Sequence, residues 1–367
     1  MSGSEPITFT YKHVDDLGIQ LDLYLPDALN TDPRATPISI PVLFNFHGGG
    51  LTVGNTRSWF PSWLKDRALK AGIAFISADY RLLPPSTAHD IVEDIQDVFR
   101  FVTEKLNPLL SSTSIPFHID GNAIAVSGCS AGGLCAYLSV THAEPRPKAV
   151  IALYAMGGDL LTPQYIQPKT EVFLRGREML QPQDYSDYLY PQSALLSPTS
   201  NSGLAYHGPD APIPGFPANP RMLLNRLYLQ LGTYLDYYTG EHEPSLSQRL
   251  REAIAETPAT QHEHLEHVKS HIPPKHIPLF PQFAVDSSWP PVFLAHGSQD
   301  SAVWMKESIN LHRILHESGV PSVIRIIDGA EHSLDYVPNA EELYGQPRGL
   351  FDQVRDFLVL HLQSTQA

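Results

Sequence analysis

The sequence predicts an α/β fold, with a mostly parallel, doubly wound sheet and a helical insertion before its last strands. Short apolar runs with the length of buried strands recur along the chain, and amphipathic helical patterns lie between them. This alternation is typical of sheets covered by helices on both faces. One segment, residues 159–289, interrupts the alternation. A connection of that length is not expected to be structureless in a compact protein.

The strands are expected where β-branched and aromatic residues form runs bounded by Gly, Pro, Asp or His. Uninterrupted apolar runs fit strands that are buried on both faces, as in a parallel sheet. Residues 19–25 alternate apolar and polar side chains instead, which predicts an antiparallel edge strand. The buried strands are predicted at residues 42–46, 73–78, 123–126, 149–154, 292–295 and 323–327.

The helices are expected between these strands. From residue 88 to residue 106, the apolar side chains recur at intervals of three and four, which places them on one stripe of a helix. Further helices are predicted at residues 59–69, 131–140, 304–315 and 350–362, and within the insertion at 222–231 and 246–254. We therefore divide the chain into a core, residues 1–158 and 290–367, and a mainly helical cap, residues 159–289.

Composition and charge narrow the class of protein. Hydrophobic residues make up 42% of the chain and charged residues 17%, a balance typical of globular proteins. The net charge of −14 makes binding to nucleic acid or to an anionic membrane surface unexpected. We see no signal peptide and no apolar stretch near the ~18 residues of a membrane helix. The two cysteines suggest no disulfide framework, and together these features favour a cytoplasmic location.

The first chemical signal is the run GCSAGG from Gly128 to Gly133. It follows a predicted strand and opens a predicted helix, which is the context of a G-x-S-x-G nucleophile elbow. Small residues must flank the serine because the turn is tight. The alternative is a glycine-rich turn with an idle serine, since short motifs also occur by chance.

The second signal is His47-Gly48-Gly49-Gly50, directly after an earlier predicted strand. Glycines allow the backbone to turn its N–H groups towards a ligand. HGGG loops accompany the serine elbow in lipases and esterases, where such donors bind the oxyanion of acyl transfer. The alternative is a flexible glycine loop, which the pair of motifs in the right order makes improbable.

A nucleophilic serine needs a base, and the base needs an orienting carboxylate. Asp300 follows one predicted strand, and His332 follows the next. The order Ser130, Asp300, His332 is the order in which α/β-hydrolases carry these residues.

These motifs resemble the hormone-sensitive-lipase-like branch of the α/β-hydrolase superfamily, which contains many carboxylesterases. The matching segments are HGGGLTVGN from His47, DYRLLPP from Asp79, GCSAGG from Gly128, HGSQD from His296 and GAEH from Gly329. They span residues 47–332 apart from the insertion.

The resemblance implies an α/β-hydrolase fold and a catalytic triad in which Ser130 is the nucleophile, His332 the base and Asp300 its partner. It also implies oxyanion donors at Gly49, Gly50 and Ala131, and no metal or organic cofactor. The partner is then a small-molecule ester. The oligomeric state is not indicated.

Other features of the motifs and of the insertion carry weaker expectations. Asp79 and Arg81 are interpreted as a buried ion pair. Cys129 stands where the family usually has Asp, and we expect it to be structural rather than nucleophilic.

The cap is expected to come mainly from residues 159–289. The histidines of HEHLEHVKSH are expected on a solvated helix rather than in a metal site. Tyrosines of the insertion either line an aromatic pocket or pack the cap, and they include Tyr185, Tyr188, Tyr190, Tyr228, Tyr234, Tyr237 and Tyr238.

Cleavage of carboxylic esters with small or medium acyl groups is the function that these observations favour. An amide, thioester or lactone would use the same site, and lyases and dehydratases occur on the same fold. A non-catalytic small-molecule binding protein is a further alternative, although loss of the serine or histidine would be its usual sign. Ser130 and His332 are both present.

Overall fold

A computed structural model describes residues 5–27, 37–113, 115–211, 213–256 and 261–363, without the side chains of residues 261–264. Its strands form one eight-stranded sheet with the order β1-β2-β4-β3-β5-β6-β7-β8. The strands are β1 (Ile7–Val14), β2 (Leu17–Tyr24), β3 (Ile38–Phe46), β4 (Ala74–Ala78), β5 (Phe117–Cys129), β6 (Ala149–Leu153), β7 (Val292–Gly297) and β8 (Ser322–Ile327).

Helices connect the strands and fill the long interval between β6 and β7. The α-helices are α1 (Ser62–Lys70), α2 (Ala88–Phe101), α3 (Asn107–Ser112), α4 (Ala131–His142), α5 (Pro163–Ile166), α6 (Arg221–Leu231), α7 (Tyr234–Thr239), α8 (Leu246–Ala255), α9 (Gln261–Ser270), α10 (Lys306–Glu317), α11 (Ala340–Tyr344) and α12 (Leu350–Gln363). A π-helical segment, Val102–Leu106, continues α2. Short 3₁₀ segments are Pro182–Tyr188, Gln192–Leu195, Pro274–Leu279, Pro281–Phe283 and Leu334–Tyr336.

The predicted fold class is confirmed, because the six strands from β3 to β8 pair in parallel and have helices on both faces. One apolar cluster packs α2, α4 and α10 against one face of the sheet. A second cluster packs α1 and α12 against the other face. The central strands are therefore buried on both faces, which explains their uninterrupted apolar sequence.

The edge position of the sheet differs from the prediction. β2 pairs with both β1 and β4, so β1 is the edge strand. The consecutive residues Leu21, Asp22, Leu23 and Tyr24 are all buried, so both faces of β2 are covered here. The predicted antiparallel pairing is correct, but the predicted edge position was wrong because Asp22 is polar and yet buried. It accepts hydrogen bonds from Thr8 (2.5 Å) and Thr56 (2.8 Å), so an alternating sequence here does not mean a solvent-exposed face.

Asp79 and Arg81 do not form the predicted ion pair. Arg81 binds the carboxylate of Asp94 on α2 at 2.9 Å and also contacts Asp90 and Glu93. Asp79 instead accepts a hydrogen bond from the Thr56 backbone N–H at 2.6 Å. Burial raises the pKa of the Asp79 carboxyl to about 8. The motif therefore ties α2 to the sheet through Arg81 and holds the loop after β3 through Asp79.

The segment between β6 and β7 docks on the glycine loop through α6. Arg221 at the start of α6 donates hydrogen bonds to the carbonyl oxygens of Leu83 (3.1 Å) and Pro84 (2.6 Å). Thr52 donates in turn to the Arg221 carbonyl oxygen at 3.0 Å. These contacts fix α6 above the end of β3. The cap boundaries at 159 and 289 stay a prediction.

In the described part of the chain, none of the helices combines the length and apolar character needed to cross a membrane. The predicted cytoplasmic location stays a prediction.

Candidate active site

Ser130 lies on a sharp turn between β5 and α4. Its backbone has φ 52° and ψ −125°, a left-handed conformation that is unusual for a residue other than glycine. The turn is fixed by hydrogen bonds from the Ser130 N–H to Leu153 O (3.0 Å) and from the Met156 N–H to Ser130 O (2.9 Å). The serine side chain is thereby presented at the carboxyl end of the parallel strands.

The glycines around Ser130 are required by close backbone packing. A Cβ atom on Gly128 would lie 2.1 Å from the carbonyl oxygen of Gly132. A Cβ atom on Gly132 would lie 2.0 Å from the carbonyl oxygen of Phe46. The elbow and the end of β3 are therefore in direct contact, which brings the glycine loop beside the serine.

The structure places Ser130, His332 and Asp300 in a hydrogen-bonded series. His332 follows β8, and its Nε2 atom lies 3.1 Å from Ser130 Oγ. Its Nδ1 atom lies 2.7 Å from Asp300 Oδ2. Because a carboxylate only accepts hydrogen bonds, Nδ1 carries the proton, and in the neutral ring Nε2 is free to accept from the serine hydroxyl. The arrangement can remove a proton from Ser130.

Asp300 is held by more than His332. Its Oδ1 atom accepts hydrogen bonds from the backbone N–H groups of Ala302 and Val303, both at 2.9 Å. His296 Nε2 lies 3.2 Å from Oδ2. Burial opposes ionisation of Asp300, but the hydrogen bonds from His296 and His332 outweigh it and hold the pKa of the carboxyl well below its usual range. Asp300 is therefore an anion across the physiological range.

Gly49, Gly50 and Ala131 provide backbone N–H groups near the serine. Gly49 and Gly50 have φ 106° and 64°, and Ala131 is the first residue of α4. None of these three N–H groups donates to another residue within the described ranges. A Cβ atom on Gly50 would lie 2.3 Å from Asn225, so the loop is compressed beneath α6. These free donors suit a developing oxyanion, but their role stays a prediction.

A cavity of about 200 Å³ opens above Ser130 and His332. The glycine loop and the elbow form its floor, and the segment between β6 and β7 supplies much of its wall. Apolar wall residues from that segment are Tyr165, Leu174, Met222, Leu223 and Leu229, and its basic wall residues are Arg175, Arg177 and Arg226.

Cys129 has the surroundings of a structural residue. The side chain is buried, and burial raises the pKa of its thiol to about 12, with a further contribution from the nearby Asp335. Asp335 accepts hydrogen bonds from Tyr154 Oη (2.6 Å) and Trp63 Nε1 (2.9 Å). A neutral thiol beside this network is a poor nucleophile at neutral pH, because the thiolate is the reactive form.

We expect the Cys129→Ser variant to keep at least about a tenth of the wild-type esterase kcat, because the thiol performs no chemistry. The measurement is steady-state hydrolysis of a 4-nitrophenyl ester, with thermal unfolding as the check on folding. A folded Cys129→Ser protein as inactive as a Ser130→Ala protein would overturn the assignment of the serine.

Comparison with known proteins agrees with this architecture. Residues 43–207 match the family model of the α/β-hydrolase fold. Together with the sheet topology and the serine elbow, this match decides the fold. The chain has the α/β-hydrolase fold. The predicted resemblance is thus confirmed.

Curated relatives of this α/β-hydrolase include two kinds of protein. A probable carboxylesterase M8 of Phoma sp. is 35% identical over 40% of this chain and 46% of that protein. The non-reducing polyketide synthase trt4 of Aspergillus terreus is 25% identical over 91% of this chain but only 13% of the synthase. The chain spans less than half the length of these curated relatives.

Solved structures share the fold at low identity. An α/β-hydrolase superfamily protein from Enterococcus faecalis has a TM-score of 0.58 and 15% identity, and the match covers 97% of this chain and 99% of that one. The butyrate-bound esterase Est2 of Thermogutta terrifontis has a TM-score of 0.54 and 15% identity, with coverage of 97% and 94%.

Sequence reasoning missed the role of His296 in this α/β-hydrolase. Besides its contact with Asp300, its Nδ1 atom lies 2.7 Å from Ser308 Oγ and its Nε2 atom 2.9 Å from Val303 O. The signal was present in the motif HGSQD, where the histidine precedes the aspartate by four residues at the end of a strand.

The tyrosines named as candidate pocket residues do not line the cavity, whereas Tyr165 and Tyr206 do. Tyr228 stacks on Tyr237 with ring centroids 3.7 Å apart, and Tyr234 and Tyr238 are buried in the core. Tyrosines of the insertion therefore do both: Tyr165 and Tyr206 line the cavity, whereas Tyr228, Tyr234, Tyr237 and Tyr238 pack within the protein.

The histidine cluster in α9 lies partly outside the described side chains, at His262 and His264. His267 and His271 contact each other edge to face with centroids 4.8 Å apart. Among the described residues, no group of three or more His, Cys, Asp or Glu is arranged to hold a metal ion.

Proposed function

We propose that this protein is a serine hydrolase that cleaves carboxylic esters through an acyl-enzyme. The observation that carries the proposal is the placement of His332 between Ser130 and Asp300, at 3.1 and 2.7 Å. Three strand ends that are far apart in the sequence deliver these side chains to one point. Such a constellation is recognised by geometry and roles rather than by sequence position.

In the first step, His332 Nε2 accepts the proton of the Ser130 hydroxyl while Oγ attacks the acyl carbon. The ester C–O bond breaks, and His332 returns the proton to the departing alcohol. Water then attacks the acyl-enzyme with the same base, which releases the carboxylic acid and regenerates Ser130. Asp300 holds the ring in the tautomer with the proton on Nδ1 and stabilises the imidazolium.

The negative charge of each tetrahedral intermediate falls on the former carbonyl oxygen. The N–H groups of Gly49, Gly50 and Ala131 are its proposed donors. The positive end of the α4 dipole points towards the same place. Because the glycine loop packs beneath α6 and the start of α4 packs against the end of β3, these donors are held in place before charge develops.

The cavity supports a preference for small or medium acyl groups. Its volume of about 200 Å³ lies below the ~300–1,000 Å³ of pockets for drug-sized ligands. With 4-nitrophenyl esters of increasing chain length, we expect the highest kcat/KM at or below hexanoate. The hexadecanoate should be slower by roughly tenfold or more. The Leu229→Ala variant, which shortens a wall side chain, should shift this profile towards octanoate.

Surfactant-matched assays keep all esters soluble, so that the profile reflects the cavity. A kcat/KM that rises continuously to hexadecanoate would contradict the proposed acyl specificity while leaving the serine mechanism intact. No hydrolysis of any ester in the panel by the folded protein would contradict the ester hydrolase itself.

A thioester is the second candidate substrate. Its support is the extent of the match to polyketide synthases: trt4 aligns with 91% of this chain and the mapC' synthase of Penicillium brevicompactum with 99%, against 40% for the carboxylesterase. The direct comparison is kcat/KM for butyryl N-acetylcysteamine and for ethyl butyrate. The ratio of kcat/KM for the thioester to that for the ester is compared with the ratio of their rate constants for hydrolysis by hydroxide. A larger ratio with the enzyme would assign the thioester reaction. An equal ratio would leave the ester as substrate.

A further inference from the structure

The charge of the cavity wall is opposite to the charge of the chain. The protein carries a net charge of −14. Arg175, Arg177 and Arg226 nevertheless line the cavity above Ser130, and none of the described residues that line it is an Asp or a Glu. A cluster of cations in a small cavity is costly unless an anion offsets it.

Arg226 is the decisive residue. It lies on the face of α6 that turns Met222, Asn225 and Leu229 towards the cavity, at helical intervals of three and four. The residue is only 7% exposed, and its Nε atom has no hydrogen-bond partner among the described residues. Its guanidinium forms no ion pair within the described ranges either, although Glu178 is close enough to act on its charge.

Other arginines of the same segment show that this is not the general pattern. Arg221, one turn earlier on α6, donates to three carbonyl oxygens and is a structural residue. Arg175 contacts Glu331 at 3.2 Å. Arg177 also lines the cavity. Burial lowers the pKa of the Arg226 guanidinium, and the nearby positive charge of Arg177 lowers it further. Among the described residues, neither the buried Arg226 nor the solvent-exposed Arg177 forms an ion pair.

We propose that Arg226 and Arg177 form a carboxylate subsite, so that the natural substrate is an ester that carries a second, ionised carboxyl group. This proposal rests on the proposed ester hydrolase and names its substrate class. A guanidinium presents donors in a planar fork that matches a carboxylate. Because the subsite lies in the same small cavity as Ser130 and His332, the carboxylate must be within a few bonds of the scissile ester.

The carboxylate could belong to the acyl group or to the alcohol, and two pairs of substrates separate these cases. On the acyl side, mono-4-nitrophenyl glutarate is compared with 4-nitrophenyl pentanoate. On the alcohol side, 4-carboxyphenyl butyrate is compared with its neutral isostere 4-carbamoylphenyl butyrate. We expect the anionic ester of one pair to have a kcat/KM at least about tenfold higher than its partner, mainly through a lower KM.

The variants Arg226→Gln and Arg177→Gln should each lower kcat/KM for the anionic ester of the preferred pair much more than for its neutral partner, which removes most of this preference. Arg226→Lys keeps the positive charge without the fork and should retain part of the preference. Arg100→Gln is the matched control. Arg100 lies on the surface of α2 with a 60% exposed side chain, and its loss should change neither pair.

Binding to the Ser130→Ala protein tests the subsite without any turnover. By calorimetry, glutarate or 4-hydroxybenzoate should bind at least about tenfold more tightly than the corresponding neutral compound, glutaramide or 4-hydroxybenzamide. Arg226→Gln should remove the difference. This measurement separates a failure of the subsite from a failure of the proposed hydrolase, because it needs no reaction.

Equal kcat/KM within both substrate pairs, or equal binding of acids and amides, would overturn the proposal. So would a carboxylate preference that survives in both Arg226→Gln and Arg177→Gln. An anionic preference that is lost in these variants and kept in Arg100→Gln would support it.

Discussion

Replacement of Ser130 by alanine is expected to lower kcat for ester hydrolysis by at least about three orders of magnitude. His332→Ala should cause a loss of similar size. The reason is that the hydroxyl and the imidazole, 3.1 Å apart, act in one proton transfer, so neither is useful alone. The measurement is steady-state hydrolysis of 4-nitrophenyl butyrate at saturating concentration, with thermal unfolding to verify the fold.

The double variant gives the sharper result. Because the two residues act as a unit, Ser130→Ala combined with His332→Ala should be hardly slower than either single variant. Losses that multiply would mean that the two side chains contribute independently, which the observed contact does not allow.

Asp300→Asn is expected to lower kcat by roughly three to four orders of magnitude while leaving the fold intact. Asp300 Oδ1 accepts from the N–H groups of Ala302 and Val303, so the asparagine oxygen should take that position. Its amide group then faces His332 and donates to Nδ1. The ring is forced to carry its proton on Nε2, where it can no longer accept the proton of Ser130.

Asp335→Asn is the matched control for this prediction. Asp335 is also a buried carboxyl close to His332, but its oxygens accept from Tyr154 and Trp63 rather than from the imidazole. We expect its loss to reduce kcat less than about tenfold. The same holds for Asp328→Asn, because Asp328, directly after β8, accepts a hydrogen bond from Ser298 Oγ (3.2 Å). If Asp300→Asn keeps near-full activity and either Asp335→Asn or Asp328→Asn loses most of it, the residue whose variant is inactive is the carboxylate partner of His332.

The strands and the residues at their ends could be predicted from the sequence because they obey local rules. Buried parallel strands are apolar without interruption, and the motifs at residues 47–50 and 128–133 demand glycine for backbone packing. A serine, an aspartate and a histidine that follow β5, β7 and β8 then converge at one edge of the parallel sheet. These predictions needed no knowledge of side-chain contacts.

The cap could not be predicted in the same way. Its tyrosines and arginines have no periodic relation to the sheet, and their positions depend on how the segment packs on itself. Tyr228 and Tyr237 stack on each other, whereas Arg226, two residues earlier on α6, faces the cavity. Arg81 likewise binds Asp94 on α2 rather than the nearby Asp79, a choice made by tertiary packing.

The sheet and the segment between β6 and β7 have different proposed roles. In the proposed mechanism, the sheet and the glycine loop place the reacting groups, and the segment between β6 and β7 supplies the side chains that meet the rest of the substrate. Chemistry should therefore be sensitive to residues at strand ends, and substrate preference to residues such as Leu229 and Arg226.

The most direct test of the central claim is covalent labelling with a fluorophosphonate, followed by mass spectrometry of the intact protein and of its peptides. We predict one label per chain on Ser130, at a rate reduced at least about a hundredfold in His332→Ala. Absence of labelling in the folded wild-type protein would indicate a binding pocket rather than a catalytic serine, and a label on Cys129 or another residue would contradict the assignment of Ser130.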